Sequence, residues 1–96
     1  MPKAYIVARV TITDPQAYAQ YASLAPEAMR LHGARVLARG GEVRALEGDC
    51  RPRNVILEFD SMAEAIAYWA SPQYQHARSF RLGAADIELC AIEGVD

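Results

Sequence analysis

Lysine is almost absent: of the ten basic residues one is Lys3 and the other nine are arginine. The basic and acidic totals, 10 and 12, give a net charge of −2 and a pI near 5.6. A protein that neutralises a run of phosphates carries a basic surplus, so no nucleic-acid partner is expected. Nor does any apolar run approach the roughly 18 residues that a membrane-spanning helix needs, and no membrane partner is expected either. The opening MPKAYIVARV lacks the apolar core and small-residue cleavage site of a secretory signal, so a reducing cytoplasm is the expected compartment. Cysteine is scarce as well. Cys50 and Cys90 lie far apart in no paired-ligand spacing, and both thiols are expected to be free. His32 and His76 have no partner four residues away and no neighbouring cysteine, whereas a metal site needs three or four convergent ligands. Haem ligation by His76 would rest on one histidine without motif context. No metal and no cofactor are therefore expected.

Against these absences stand 96 residues that are 52% hydrophobic. That suffices for one domain, residues 1–96, burying roughly two-thirds of the surface its unfolded chain exposes. The stretch VILEFDSMAEAIAYWASPQY, Val55 to Tyr74, specifies three elements in succession. Val55 to Phe59 is aliphatic or aromatic with one carboxylate inserted, and Asp60-Ser61 ends the strand pattern. Ser61 with Glu64 three residues on is a capping box, in which hydroxyl and carboxylate each satisfy a backbone N–H left free by the helix. Met62, Ala65, Ile66 and Trp69 form the apolar stripe expected to hold this helix on a sheet. Ser71-Pro72 then starts a second short helix.

Elsewhere, Ala4 to Ile12 alternates, with Ile6, Ala8, Val10 and Ile12 on one face and Tyr5, Val7, Arg9 and Thr11 on the other. Asp14-Pro15 opens a helix with the stripe Tyr18, Tyr21, Ala25, Ala28 and Met29, ending near His32 before the stop residue Gly33. Pro26 removes one backbone hydrogen bond from that helix, and a bend or break is expected there. Ala34 to Arg39 reads as a strand. A bulge or hairpin at Gly40-Gly41 is expected before Glu42 to Glu47 resumes extended character. After the polar turn Gly48 to Pro52, the Val55 strand and the helical region, Leu82-Gly83 is a stop and Ile87 to Ile92 the last strand. The order β-α-β-β-α-β, with one optional strand, describes an α+β fold of the ferredoxin-like kind, an antiparallel sheet with the helices on one face.

Strand parity carries an expectation about assembly. If the helices cover Ile6, Val10, Val55, Leu57, Phe59, Ile87 and Leu89, the opposite face holds Val7, Ile56, Cys90 and Ile92 beside Arg9, Glu58 and Glu88. Four apolar side chains on a face otherwise open to water mark an interface, so a homodimer packed sheet to sheet is expected.

On the same face, Glu58 is the candidate catalytic residue: a carboxylate in an apolar strand, desolvated without a partner, becomes a general base near neutral pH. The ordinary alternative is a salt bridge to an arginine such as Arg9 or Arg53. Arg39, Arg53, Arg78 and Arg81 are candidates to converge on an anion, since an arginine fork binds a carboxylate through two hydrogen bonds. Tyr74, Ala77, Arg78 and Arg81 share one stripe of the last helix. The ligand-binding set expected from this is Arg39, Arg53, Tyr74 and Arg81. Tyr18, Tyr21, Tyr68 and Trp69 sit at core spacing, where rings pack and also suit the wall of a pocket between helices and sheet. Cys50 beside Arg51 and Arg53 is a surface thiol whose neighbours favour the thiolate.

The strings ARGGEV, LEGDCRPRNVILEF and YWASPQYQHARSFR together resemble the small-protein family known as domain of unknown function 1330. The resemblance covers nearly the whole chain and rests on Arg39-Gly40-Gly41, Glu47-Gly48, Arg53, Glu58-Phe59, Ser71-Pro72 with Tyr74, and Arg81. It departs at Gly33-Ala34, where the family often has Gly-Gly, and at Tyr68-Trp69, where the aromatic order is swapped. The resemblance implies the dimeric α/β-barrel superfamily, in which two ferredoxin-like protomers bring their sheets together; it implies no activity, because that superfamily holds cofactor-free monooxygenases, isomerases, haem-handling enzymes and non-catalytic binders alike. Two readings stay open. One is a cofactor-free enzyme or binder for a small anionic or aromatic molecule. The other is a non-catalytic dimeric interaction or regulatory module, which predicts no closed cavity. RNA recognition on the sheet needs several stacking aromatics, and only Tyr5 offers one.

Overall fold

The structure is a computed structural model and describes residues 2–95. Strands β1 (Ala4–Ile12), β2 (Arg35–Arg39), β3 (Arg53–Phe59) and β4 (Ala85–Glu93) alternate with helices α1 (Pro15–Leu31), α2 (Met62–Ala70) and α3 (Pro72–Ser79). The sheet order is β2-β3-β1-β4 with every neighbouring pair antiparallel, which is the ferredoxin-like α+β arrangement. β1 is central because its alternation is the most regular: Ala4, Ile6, Ala8 and Val10 are all buried beneath the helices. Leu57 and Phe59 of β3 join them at 2% and 0% exposure. Of these, Ile6, Val10, Leu57 and Phe59 each contribute about 1.5–3 kcal/mol by leaving water.

Local chemistry sets the helix ends. Asp14 accepts the Ala17 N–H at 3.3 Å, and Pro15 takes the first helical position, where a missing N–H costs nothing. The Thr13 and Asp14 N–H groups both donate to the Ala84 carbonyl, at 2.8 and 2.9 Å, pinning the start of α1 to the entry of β4. Helix α1 runs as one element through Pro26, so of the bend or break expected there the break does not occur. Pro26 lies on an exposed turn, so the one lost hydrogen bond is outweighed by burial of Ala25, Ala28 and Met29 on the other side. At Ser61 the hydroxyl accepts the Glu64 N–H at 3.2 Å, the first half of the capping box.

Three other expectations change. Residues 42–47 pair with no strand, so the optional fifth strand is absent among the described residues. The register shift falls within β2, between Val36 and Ala38, rather than at Gly40-Gly41. In α2 the buried residues are Ala65 and Tyr68, while Ile66 and Trp69 are 51% and 38% exposed. The helix is turned by one residue from the expected stripe because Tyr68 reaches the centre of the core, where it meets Phe59 and Tyr74 at ring distances of 5.3 and 4.9 Å. Trp69 instead lies under the Arg78 guanidinium, 5.6 Å from the ring centroid.

Candidate functional site

Helix α1 packs chiefly on α3 and stands off the sheet. The gap has a sequence origin: Ala22 and Ala25 of α1 face Ala8 of β1 across it, and three methyl groups cannot fill the space that longer side chains would. What results is a cavity of about 280 Å³. Its wall carries Tyr18, Tyr21, Tyr68 and Tyr74 and the arginines Arg39 and Arg53, with aliphatic side chains and no carboxylate.

Each polar group arrives by a definite route. Arg53 lies on the cavity side by simple parity with Val55, Leu57 and Phe59. Its Nε donates to Tyr18 Oη at 3.3 Å, and its guanidinium lies 5.6 Å from the Tyr18 ring centroid. Arg39 would share the face of Arg35 if β2 alternated regularly. The bulge reverses this: Arg35 pairs with Glu58, but Arg39 pairs with Val55, so Arg39 turns toward the cavity. Gly40, at φ +67°, then bends away, and a Cβ there would run into Arg53 Nη1.

At the deeper end, Ser71 sets Tyr74. Its Oγ caps α3 by accepting the Tyr74 N–H at 3.1 Å and donates to the Tyr68 carbonyl at 2.7 Å. Arg81 follows α3 and is 5% exposed. It donates from Nη2 to Tyr74 Oη at 2.9 Å, and its guanidinium lies 5.1 Å from the Tyr21 ring centroid. The Tyr74 and Tyr21 hydroxyls are 3.2 Å apart. Arg81 Nε is buried with no hydrogen-bond partner. Burial opposes the Arg81 charge, but the Tyr74 and Tyr21 oxygens outweigh it and raise the guanidinium pKa. Burial also pushes the Tyr21 phenol up, with Tyr74 adding to it, and burial does the same to Tyr68. At neutral pH these two phenols are neutral and the arginines are cations.

The pattern of ion pairing sorts the arginines. Arg30, Arg35, Arg44 and Arg51 are each tied to a carboxylate. Among the described residues Arg39, Arg53 and Arg81 are not. Of the expected ligand-binding set, Arg39, Arg53 and Tyr74 line one cavity and Arg81 stands behind it on Tyr74. Arg78 lies apart, on Gln75 and Trp69.

Glu58 is placed elsewhere. It lies on the opposite side of the sheet from the cavity, where it accepts from Arg35 Nε at 2.7 Å and Tyr5 Oη at 3.1 Å, with Lys3 Nζ at 3.9 Å. The Arg35 guanidinium holds its carboxyl below the usual carboxylate value, and Tyr5 and Lys3 act in the same direction against a smaller desolvation effect. Of the two readings of Glu58, an unpaired base or a salt bridge to an arginine, the structure has the salt bridge, and the arginine is Arg35 rather than Arg9 or Arg53. Cys50 and Cys90 are free and exposed. Among the described residues no group of three His, Cys, Asp or Glu side chains could hold a metal ion, and no helix is long and apolar enough to cross a membrane.

Residues 3–95 match the model of the family described as "Domain of unknown function (DUF1330)". No curated protein matches. Among solved structures, a protein of unknown function from Rhodopseudomonas palustris is similar at 20% identity and a TM-score of 0.77, over 99% of this chain and 84% of that one. A dimeric ferredoxin-like protein of unknown function from a Jannaschia species is similar at 21% identity and TM-score 0.61, over 95% and 98%. SnoaB, a cofactor-independent oxygenase from Streptomyces nogalater, is similar at 12% identity and TM-score 0.60, over 100% and 96%. At these identities the likeness is one of fold.

Proposed function

The chain belongs to the DUF1330 family, and from that premise we propose that it is a homodimeric domain whose protomers each bind one small molecule, an apolar or aromatic body bearing an anionic group, in the cavity beneath α1. The observation that carries this reading is the composition of the cavity wall, two arginines and four tyrosines with no carboxylate. Ligand sites are concave and mainly apolar, with a few polar groups that fix orientation. A cavity of about 150 Å³ holds benzene, so the space here suits a single substituted ring. Arg39 and Arg53 are the anion clamp, and Tyr74 with Arg81 behind it holds the other end. Glu58 has no part in the ligand site. The alternative of an interaction module without a cavity is disfavoured by the cavity itself.

The dimer is argued from the open sheet face. Val7 pairs across strands with Ile56 on one side and Cys90 on the other, and Ile92 is 50% exposed. The similar Jannaschia protein is itself dimeric, which supports a dimer here. Free, exposed cysteines suit the proposed cytoplasmic setting.

The test is thermal unfolding with benzoate against benzamide, a neutral molecule of the same shape. Benzoate raises the midpoint, by about 2.7 kcal/mol of stability at one hundred times its Kd. The rise is lost in Arg39→Gln/Arg53→Gln. Equal effects of benzoate and benzamide, or no effect of either, would overturn the reading. Sedimentation at micromolar concentration tests the assembly: wild type runs as a dimer and Val7→Asp as a folded monomer, and a monomeric wild type refutes it.

A further inference from the structure

The Tyr21 and Tyr74 hydroxyls bring two protons to a single mutual hydrogen bond. The direction of that bond does not change the count. If Tyr74 donates to Tyr21, the Tyr21 proton is left over; if Tyr21 donates to Tyr74, the Tyr74 proton is. Among the described residues the pair's remaining contact is Arg81 Nη2, which is itself a donor. A guanidinium has no acceptor to offer. Both residues belong to the cavity wall, and a molecule bound there is the acceptor inferred below for the surplus phenolic proton.

Arg81 strengthens that donor, against the burial that pushes the Tyr21 phenol up. Its donation at 2.9 Å draws electron density from the Tyr74 oxygen, and hydrogen bonds in a chain polarise one another in one direction. Arg81 is also buried with no carboxylate partner among the described residues, and its Nε has no partner at all. A buried cation left without a counter-ion favours negative charge on the groups wired to it.

The geometry points to a donor relay, Arg81 to Tyr74 to Tyr21, that takes an oxyanion of the phenolate or enolate class. It defines an end of the ligand distinct from the carboxylate held by Arg39 and Arg53. The inference rests on the ligand-binding reading above and assigns the substrate class as a small ring acid carrying an acidic hydroxyl or enol. Tyr21 is the group that touches the oxyanion, Tyr74 passes the polarisation to it, and Arg81 is a positioning residue that acts through both.

The probe is 4-nitrophenol, whose ionised form is read by its visible absorbance. Bound to wild type, its pKa falls by at least about one unit, a tenfold preference for the phenolate. Tyr21→Phe keeps most of this shift, because Tyr74 then offers its own proton while still backed by Arg81. Tyr74→Phe and Arg81→Met lose it. If Tyr74→Phe does not fold, Arg81→Met decides alone. A bound pKa unchanged or raised in wild type overturns the relay, as does a shift that survives Arg81→Met. Should benzoate stabilise the protein while 4-nitrophenol shows no phenolate preference, the relay fails and the binding reading stands. If neither molecule binds, both fall.

Discussion

Replacing Tyr74 by Phe removes one oxygen atom and keeps the ring that packs on Tyr68 at 4.9 Å and Tyr21 at 6.1 Å. The oxygen lost is the one that accepts from Arg81 at 2.9 Å and meets Tyr21 Oη at 3.2 Å. Tyr74 is 1% exposed and Arg81 5% exposed, so bulk water has little access to replace it. A hydrogen bond to a charged group contributes about 1.5–3 kcal/mol net, and stranding a buried charged donor costs at least as much. With Arg81 Nε already unpartnered, Tyr74→Phe should cost about 2–3 kcal/mol, or roughly 10–20 °C for a domain of this size. Arg81→Met removes the charge together with its unmet donors. Its own cost is smaller, because a buried charge exchanged for an apolar side chain of similar length recovers the desolvation penalty. In the Tyr74→Phe background it should restore about 1–2 kcal/mol. The assay is urea unfolding of wild type, both single variants and the double at one protomer concentration, since dimer stability depends on concentration. Additivity within about 0.5 kcal/mol would refute the argument: the phenol would then not be what compensates the buried guanidinium.

Ser71→Ala removes both the cap on Tyr74 N–H and the bond to the Tyr68 carbonyl, and should cost about 1–2 kcal/mol by urea unfolding; a loss below about 0.5 kcal/mol would show that water replaces the hydroxyl. Gly33→Ala and Gly40→Ala force a side chain into similar backbone, φ +70° and +67°, but only at Gly40 does the new Cβ meet Arg53. Both should lose about 1 kcal/mol, whereas Gly40→Ala alone should weaken benzoate binding, and equal binding by the two would remove Gly40 from the site. Arg35 depresses the Glu58 carboxyl, so the stability this pair supplies is present above the ordinary carboxylate value and is lost as pH falls through the lower folded value. NMR titration of the Glu58 side chain should show its midpoint rising toward the ordinary carboxylate value in Arg35→Gln, and an unmoved midpoint would exclude the pairing as its cause.

Much of the fold was legible because strand parity and helix caps are local. Ala4 to Ile12 alternates without a fault, and Asp14-Pro15, Ser61 and Ser71-Pro72 mark helix starts that the structure places at the same residues. The errors fall where tertiary packing decides. Ile66 and Trp69 make as good a stripe as Ala65 and Tyr68 on paper, and only the depth of the core beside Phe59 selects Tyr68. The site was legible in part. Arg53 reaches the cavity by the same parity that places Leu57, and Tyr74 by the cap at Ser71. Arg39 reaches it only through a bulge at Leu37, for which the sequence has no signal at that position. The cavity itself is written in alanines, Ala8, Ala22 and Ala25, and a small residue on a core stripe reads as close packing as readily as it reads as space. Glu58 was singled out as a carboxylate in an apolar strand, and its partner came from β2, a strand whose register could not be fixed from sequence.

The two sides of the sheet differ in how their charges are met, and that difference separates assembly from binding. On the open side Glu58 is met by Arg35, Tyr5 and Lys3, and Glu88 by Nη2 and Nε of Arg51, at 2.7 and 2.8 Å. These pairs flank the apolar row of Ile56, Val7 and Cys90. A second copy laid on this face would cover carboxylates that already have partners, while Arg9 beside them is held by Asn54 at 3.4 Å rather than by a carboxylate. On the helix side the reverse holds: Arg39, Arg53 and Arg81 face or back a cavity with no carboxylate on its wall. Of these three only Arg81 is buried; Arg53 is half-buried and Arg39 exposed. A buried cation without a carboxylate costs stability, so Arg81, with Arg53 and Arg39 on the wall in front of it, is the feature that the proposed anionic ligand would explain and that packing alone does not.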